Sequence, residues 1–344
     1  MTALGELPED HLSIVVFGPG YGESIAVRSP DGRWLVVDSL RDPGTERNPA
    51  LELLRSHDAH PDLLVLTHPH DDHAAGFAEL VDSQSGGSGR TGTVPAATTG
   101  AVDPLRDPDA GAALRRGRTN LALSAIQARW DADPDARWPM RAGQETSLGV
   151  VRVHVLTPRT DLVQQVDVDP NRLSASLLLE WDELAVLLGA DVPTGEWDRV
   201  DRGVNLGCHR LFKVSHHGSR GAQHERLSDP AGLARTWVLT PWTKAGRHLP
   251  RLEDGGDLDR LLRCVERVEL TSPPVSLRDP AATPSTRTEL SARANRATFG
   301  GDDLLLEYDD QPRSSEQGWV AAVLTADGDL VELRHGSAAL TVWR

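Results

Sequence analysis

The stretch Thr67-His68-Pro69-His70-Asp71-Asp72-His73 is dense in groups that do chemistry. Three imidazoles and a spaced carboxylate fall between His68 and His73. Both are hard-to-borderline donors suited to zinc or manganese. His68 and His70, two apart, can face one cation; Asp72 and His73, from the next turn, can face a second. The apolar run Leu63 to Thr67 leads straight into them and reads as a strand, and a helical pattern follows. The donors therefore sit on a loop at a strand's C-terminal edge, where rigid scaffolds present chemistry. The alternative is a chance cluster on a solvated loop, which three histidines with a spaced Asp directly after a strand argue against.

Other candidates stand at the ends of apolar runs. Asp38 closes Trp34 to Asp38, and it can also be read as a strand-end turn residue. Asp191 follows Leu184 to Ala190, and with Pro193 after it can be read as a helix N-cap. His216 and His217 end the run from Arg210, with His216 in phase with Phe212 and Val214 and so pointing inward. His248 is a ligand candidate or an ordinary loop histidine. His154, inside Val151 to Leu156, alternates against the valines and reads as an exposed strand residue.

The elements that must position these groups follow from periodicity. Strands are expected at His11 to Gly18, Glu23 to Ser29 and Trp34 to Asp38, with Pro30-Asp31-Gly32 turning between the last two. Asn48 and Pro49 open a helix. Ala74 to Val81 reads as helix, Ser83 to Gly92 as a mobile Gly/Ser loop, and Ala110 to Ala132 as helix. Thr146 to Leu156 returns to strand. Ser174 to Trp181 and Leu184 to Gly189 form a hairpin around Asp182-Glu183. Helix is expected at Pro193 to Val204 and Leu258 to Val268, and strand at Arg210 to Ser215 and Thr236 to Thr240. Ser272 to Thr288 reads as a linker or surface excursion. Short strands follow at Asp303 to Tyr308, Trp319 to Thr325, Leu330 to Leu333 and Ala338 to Trp343, with Asp327-Gly328 as a hairpin turn. Strand pairs alternating with helices predict an α/β sandwich.

Bulk properties bound the function. The 344 residues suffice for a large core, and a 39% hydrophobic content is ordinary for a globular protein. A net charge of −15 disfavours a general nucleic-acid-coating role, although bound cations would reverse the field locally. Two cysteines, Cys208 and Cys264, make no disulfide framework. The opening residues have no basic and apolar signal pattern, and no apolar run is long enough to span a bilayer. A cytoplasmic location without membrane contact is the expectation.

The pattern H-x-H-x-D-H after a hydrophobic strand resembles the signature of the metallo-β-lactamase superfamily. Phe17 to Ser24 and Trp34 to Asp38 resemble that fold's opening strands and terminal aspartate. Leu188-Gly189-Ala190-Asp191 resembles its Gly-Asp strand end. Lys213 to Ser219 resembles the His-His-Gly-Ser motif of the nuclease domain of DNA-uptake competence proteins, and Arg247 to Pro250 stands where those have Gly-His-Pro. Asn171, Ser174 and Ser176 resemble their Asn-and-Ser segment, which lines the pocket or merely starts a strand. The resemblance covers roughly residues 11 to 272.

It implies a four-layer αββα sandwich, with residues 1–273 as the hydrolase domain, an insertion at about 82–145, and a β-rich extension at 274–344 packed on it. It implies two divalent ions, zinc or manganese, bridged by Asp191 and sharing a hydroxide. Asp72 would bind metal and orient that hydroxide, and Asp38 would hold a ligand histidine by its free ring N–H. A histidine that many members place before the bridging aspartate is missing, so His216, His217 or His248 must complete the ligands; His217 is also a candidate to protonate a leaving group and His248 to contact phosphate. The activity implied is a phosphodiesterase or nuclease on DNA or RNA, with Arg115, Arg116 and Arg118 as strand guides or a solvated helix face. The alternatives are a hydrolase of a small phosphodiester, cyclic nucleotide, lactone or thioester, or a sensor presenting Trp319 to Arg344 to a protein partner.

Overall fold

The computed structural model describes residues 4–18, 21–42, 44–84, 89–94, 118–163, 165, 168–228, 235–244, 247–251, 256–274, 296–299, 302–307 and 318–343. Arg115, Arg116, Pro19, Gly20, residues 85–88 of the Gly/Ser stretch and residues 275–288 lie outside them.

The first half builds β1 (Leu12–Phe17), β2 (Ser24–Arg28), β3 (Trp34–Val37), α1 (Pro49–Ser56), β4 (Leu63–Leu66), α2 (Asp71–Ala74), α3 (Phe77–Ser83), β5 (Arg90–Thr93), α4 (Arg118–Ala132) and β6 (Arg137–Pro139). There follow β7 (Glu145–Leu148), β8 (Val151–Val155), α5 (Thr160–Val163), β9 (Leu177–Trp181), β10 (Leu184–Leu188), α6 (Thr194–Trp197), β11 (Leu211–Lys213) and β12 (Thr236–Leu239). The rest is β13 (Trp242–Lys244), β14 (Arg247–Leu249), α7 (Asp257–Leu262), β15 (Arg267–Leu270), β16 (Arg296–Phe299), β17 (Asp302–Glu307), β18 (Trp319–Leu324), β19 (Leu330–His335) and β20 (Leu340–Trp343).

These strands form two large sheets. One runs β19-β18-β1-β2-β3-β4-β5-β6, the other β16-β17-β20-β15-β12-β11-β10-β9-β8-β7. Period-two alternation sorts the side chains. Leu12, Ile14 and Val16 of β1 point into a core shared with Val153, Leu179, Val186 and Leu211 of the other sheet. Val15 and Phe17 point outward to Leu53, Phe77, Leu80 and Ile126 of α1, α3 and α4. Leu187, Phe212 and Trp237 pack outward against Trp197, Leu258 and Leu261 of α6 and α7. The result is the αββα sandwich expected from the sequence.

Several expectations shift. The helix read over Ala74 to Val81 is split, because Gly76 adopts φ +85° between α2 and α3. Within the Gly/Ser stretch, Arg90–Thr93 is a sheet strand pairing β4 and β6. Its glycine marks a close approach: a Cβ on Gly92 would lie 2.9 Å from Met140 Sδ and Trp138 Cε3. Gly92→Ala is expected to destabilise the fold by about 1–3 kcal/mol through overpacking, lowering the urea midpoint at constant m. The helix expected over Pro193 to Val204 is the single turn Thr194–Trp197, and farther along Asp201 accepts from the Gly203 N–H at 2.8 Å in a separate turn. Trp319–Leu324 is not an exposed partner surface: β18 is buried throughout, paired with β1 on one side and β19 on the other. Among the described residues no helix is long and apolar enough to cross a membrane.

Parallel pairing decides where chemistry can sit. β3 and β4 are parallel in one sheet; β10, β11 and β12 are parallel in the other. Their C-terminal ends deliver Asp38, Thr67-His68, Asp191, the segment after Lys213, and Thr240. β2 runs antiparallel to β3, with Ile25 opposite Val37, so the residue preceding β2, Glu23, joins the same end.

The turn leading into β11 is braced by His209. Its Nδ1–H donates to the Leu206 carbonyl (2.7 Å) and its Nε2 accepts from the Trp237 indole (3.2 Å). Burial pushes this imidazole down to about 4 from 6.5. An unfolded chain therefore takes up a proton below 6.5 that the folded chain refuses until about 4. Stability should fall as pH drops through that window, by about 3 kcal/mol from this group, and level off below it. Urea unfolding between pH 4.5 and 7 should give a shallower pH slope for His209→Gln than for wild type.

Candidate metal centre

The loop after β4 is rigidly held from below. Asp38, at φ +57°, accepts from the Thr67 backbone N–H and hydroxyl, both at 2.7 Å, and from His73 Nδ1 at 2.7 Å. A carboxylate can only accept, so His73 carries its proton on Nδ1 and presents Nε2 to the cavity. That Nε2 is buried, has no hydrogen-bond partner, and lies 3.4 Å from Asp191 Oδ1. His217 is arranged likewise. Its Nδ1–H donates to the Thr240 carbonyl at 2.9 Å, and its buried, partnerless Nε2 lies 3.6 Å from Asp72 Oδ2 and 4.0 Å from Asp191 Oδ1.

The other oxygen of Asp191 faces a different set. His68 Nε2 is 3.7 Å from Oδ2 and 2.9 Å from His70 Nδ1. His216 Nε2 is 3.8 Å from the same Oδ2 and approaches Asn171 Nδ2 at 3.5 Å. Donor atoms of His68, His70 and Asp191 all lie within 4.8 Å of one another, and so do those of Glu23, His73, Asp191 and His217. Asp191 belongs to both groups.

Backbone strain creates the split between the two adjacent histidines. His216 and His217 both occupy left-handed conformations, at φ +47° and +51°. Such residues cost of order 1 kcal/mol each and persist where the surroundings over-determine them. Here the His216 N–H donates to the Ala190 carbonyl at 2.8 Å, and Ala190 is itself at φ +43°. Strand alternation therefore does not govern His216. β11 ends at Lys213, and the histidines sit in a 3-10 turn, His217 buried and His216 partly open.

Electrostatics suit cations. Burial opposes charge on Asp191, but His73 and His217 outweigh it and hold the carboxyl well below its usual range. Burial also opposes protonation of His73, but Asp191 and Asp38 raise it well above the ordinary imidazole value. His217 is raised by Asp191 and Asp72 against burial. His68, His70 and His216 are lowered, chiefly by burial. The carboxylates thus favour positive charge at His73 and His217, whereas burial disfavours it at His68, His70 and His216. Orphaned Nε2 atoms facing a buried carboxylate are the donor set a pair of divalent ions fits.

Two further placements bear on the sequence reading. His248 lies on β14 opposite Thr243, 3.3 Å from its hydroxyl, outside both ligand groups; the same hairpin starts with Trp242 stacked on His217 at 6.2 Å. His154 is partly exposed between Glu145 and Glu180, away from the site. Glu23 was not foreseen. It is fully buried, with Oε2 bonded to Lys213 Nζ at 2.6 Å and to the Thr240 hydroxyl at 2.9 Å. Its signals are a charge heading an apolar run and, opposite it, a lysine inside Leu211 to Val214. Despite burial, Lys213 and His73 hold the Glu23 carboxyl below its usual range. Gly22 permits this packing: at φ +84° its missing Cβ would lie 2.8 Å from the Asp72 carbonyl, which accepts from the Glu23 N–H at 3.0 Å.

The model of the metallo-beta-lactamase superfamily matches residues 17–91. No curated protein matches. Among solved structures, CmlA, a diiron beta-hydroxylase from Streptomyces venezuelae, is 15% identical over 69% of this chain and 45% of that chain, with a TM-score of 0.39. An E377D mutant of the CmlA beta-hydroxylase is 18% identical over 62% of this chain and 37% of its own, at TM-score 0.35. The chain thus spans less than half the length of CmlA. The metallo-beta-lactamase fold protein YhfI from Bacillus subtilis is 15% identical over 69% of this chain and 88% of its own, at TM-score 0.39. Its two sheets and flanking helices give the chain the αββα metallo-β-lactamase fold, with two groups of histidines and carboxylates, sharing Asp191, that could hold divalent cations.

Proposed function

We propose that the chain is a metal-dependent hydrolase of phosphodiesters, DNA or RNA among them. The observation that carries the reading is Asp191, whose two oxygens face two different imidazole sets. His68, His70 and His216 would hold one cation with Oδ2; Asp72, His73 and His217 would hold the other with Oδ1. Two zinc or manganese ions there would polarise the phosphoryl group and lower the pKa of water. The chain's own part is orientation. Asp38 and the Thr240 carbonyl fix the tautomers of His73 and His217, so that both present Nε2. This makes His217 a ligand in preference to a leaving-group acid. His248, outside the ligand groups, is then the substrate-facing histidine.

The His-His-Gly-Ser resemblance favours phosphodiesters, and two cations suit in-line displacement at phosphorus. The charge of −15 favours a second reading, a small anionic substrate such as a cyclic nucleotide in place of a long polymer. The purified protein, loaded with zinc or manganese, should cleave bis(p-nitrophenyl) phosphate. Single-stranded DNA cleaved as well supports the nuclease; the small ester cleaved alone supports the second reading. A fully loaded protein that cleaves neither phosphodiester nor cyclic nucleotide refutes the assignment.

A further inference from the structure

We infer that the buried Glu23–Lys213 pair, together with Thr240, positions His217 and sets the affinity of the second cation position. The inference rests on the two-cation reading above.

Glu23 belongs to one sheet's edge of the site and Lys213 to the other's, and both are fully buried. Lys213 Nζ donates to Glu23 Oε2 at 2.6 Å and to the Val214 carbonyl at 3.0 Å. A charged pair this deep returns little net stability, because desolvation offsets the attraction. Its location gives it a better account.

Glu23 comes within ligand distance of His73 and His217, yet its closest approaches are to Nδ1 of each ring, at 4.0 and 3.7 Å. Nδ1 is the nitrogen that each ring turns away from Asp191: His73 gives it to Asp38, His217 to the Thr240 carbonyl. Glu23 therefore lies behind the two rings, not among the cation's donors. A negative charge there favours N–H at Nδ1 and leaves the Nε2 lone pair for the cation. Thr240 links the parts. Its carbonyl accepts from His217, while its hydroxyl lies 3.1 Å from the same Nδ1 and donates to Glu23 Oε2. Lys213 balances one of four buried carboxylates here, Glu23, Asp38, Asp72 and Asp191, and holds Glu23 by its Oε2.

The test titrates metal-free full-length protein with Mn²⁺ alone and with Zn²⁺ alone, against a competing chelator, and records the ¹⁵N imidazole shifts of His217. Wild type should take two equivalents and show one Nδ1–H tautomer. Lys213→Met and Thr240→Val should weaken the second equivalent at least about tenfold, leave the first nearly unchanged, and shift the ¹⁵N resonances of the His217 ring. Thr240→Ser keeps the hydroxyl and should behave as wild type. Glu23→Gln/Lys213→Met, which removes both charges, should regain wild-type melting behaviour while its second equivalent stays weak. Restored affinity in that double variant, equal losses at both equivalents, or an unaltered second equivalent would each overturn the inference. If Lys213→Met does not fold, Thr240→Val against Thr240→Ser decides the question. A wild type that takes fewer than two equivalents defeats the two-cation reading itself; a wild type that takes two, with indifferent variants, defeats this inference alone.

Discussion

Asp191→Ala should lose both metal equivalents at once and lower phosphodiester hydrolysis at least about a thousandfold, a loss of about 4 kcal/mol in transition-state stabilisation. The reason is geometric. Oδ1 lies 3.4 Å from His73 Nε2 and Oδ2 3.7 Å from His68 Nε2, so one side chain serves both positions. The effect should extend to proton binding. Asp191 is the leading charge that raises His73 and His217 against burial. Without it both imidazoles should release protons at lower pH in the metal-free protein. Elemental analysis of dialysed protein and an NMR titration of the histidines measure the two effects. A variant that keeps both metals would remove Asp191 from the centre of the site.

His216→Ala and His217→Ala should each keep one metal equivalent, but not the same one. His216 shares Oδ2 with His68; His217 shares Oδ1 with His73 and also faces Asp72. Each variant should lower turnover by about a hundredfold or more, because a two-metal displacement needs both cations. Manganese paramagnetic resonance should show a coupled pair in wild type and isolated ions in both variants. Double variants distinguish the positions. Asp72→Ala added to His217→Ala should cost no further equivalent, whereas Asp72→Ala added to His216→Ala should empty the site. Both variants losing the same equivalent would break the proposed split.

How much of this was legible in the sequence depended on chain distance. His68, His70, Asp72 and His73 fall in one window, so their types and spacing spoke for themselves. Asp38 and Asp191 stand at the ends of short apolar runs, and parallel strands bring such ends together. The hairpin around Asp182 and the helix capped by Asn48 followed from local turn and capping chemistry, and Asn48 does accept from the Leu51 N–H. What escaped was long-range or conformational. Glu23 and Lys213 are 190 residues apart, and no periodicity pairs them. The left-handed turn at His216 and His217 defeats strand alternation, because positive φ at two successive non-glycine residues is imposed by the Ala190 contact and the packed turn, not by local preference. Gly76 and Gly92 were visible as glycines, but only their neighbours reveal that one breaks a helix and the other admits a tryptophan beside a strand.

Both sheets are closed by strands that come late in the chain. β18 lies against β1, with Leu12 opposite Leu324, and β20 lies against β15, with Leu270 opposite Leu340. During synthesis on the ribosome, β1 emerges long before β18 and stays an unpaired edge on that flank until Trp319–Leu324 has been made. Such an edge of apolar residues invites pairing with other chains, and contacts this distant in sequence slow folding. The ligand loop after β4 is present long before its counterparts after β10 and β11. Early intermediates therefore carry His68, His70 and His73 without Asp191 or His217. In the cell, the supply of metal and the protection of nascent chains would have to be matched to the time at which Trp319–Leu324 arrives.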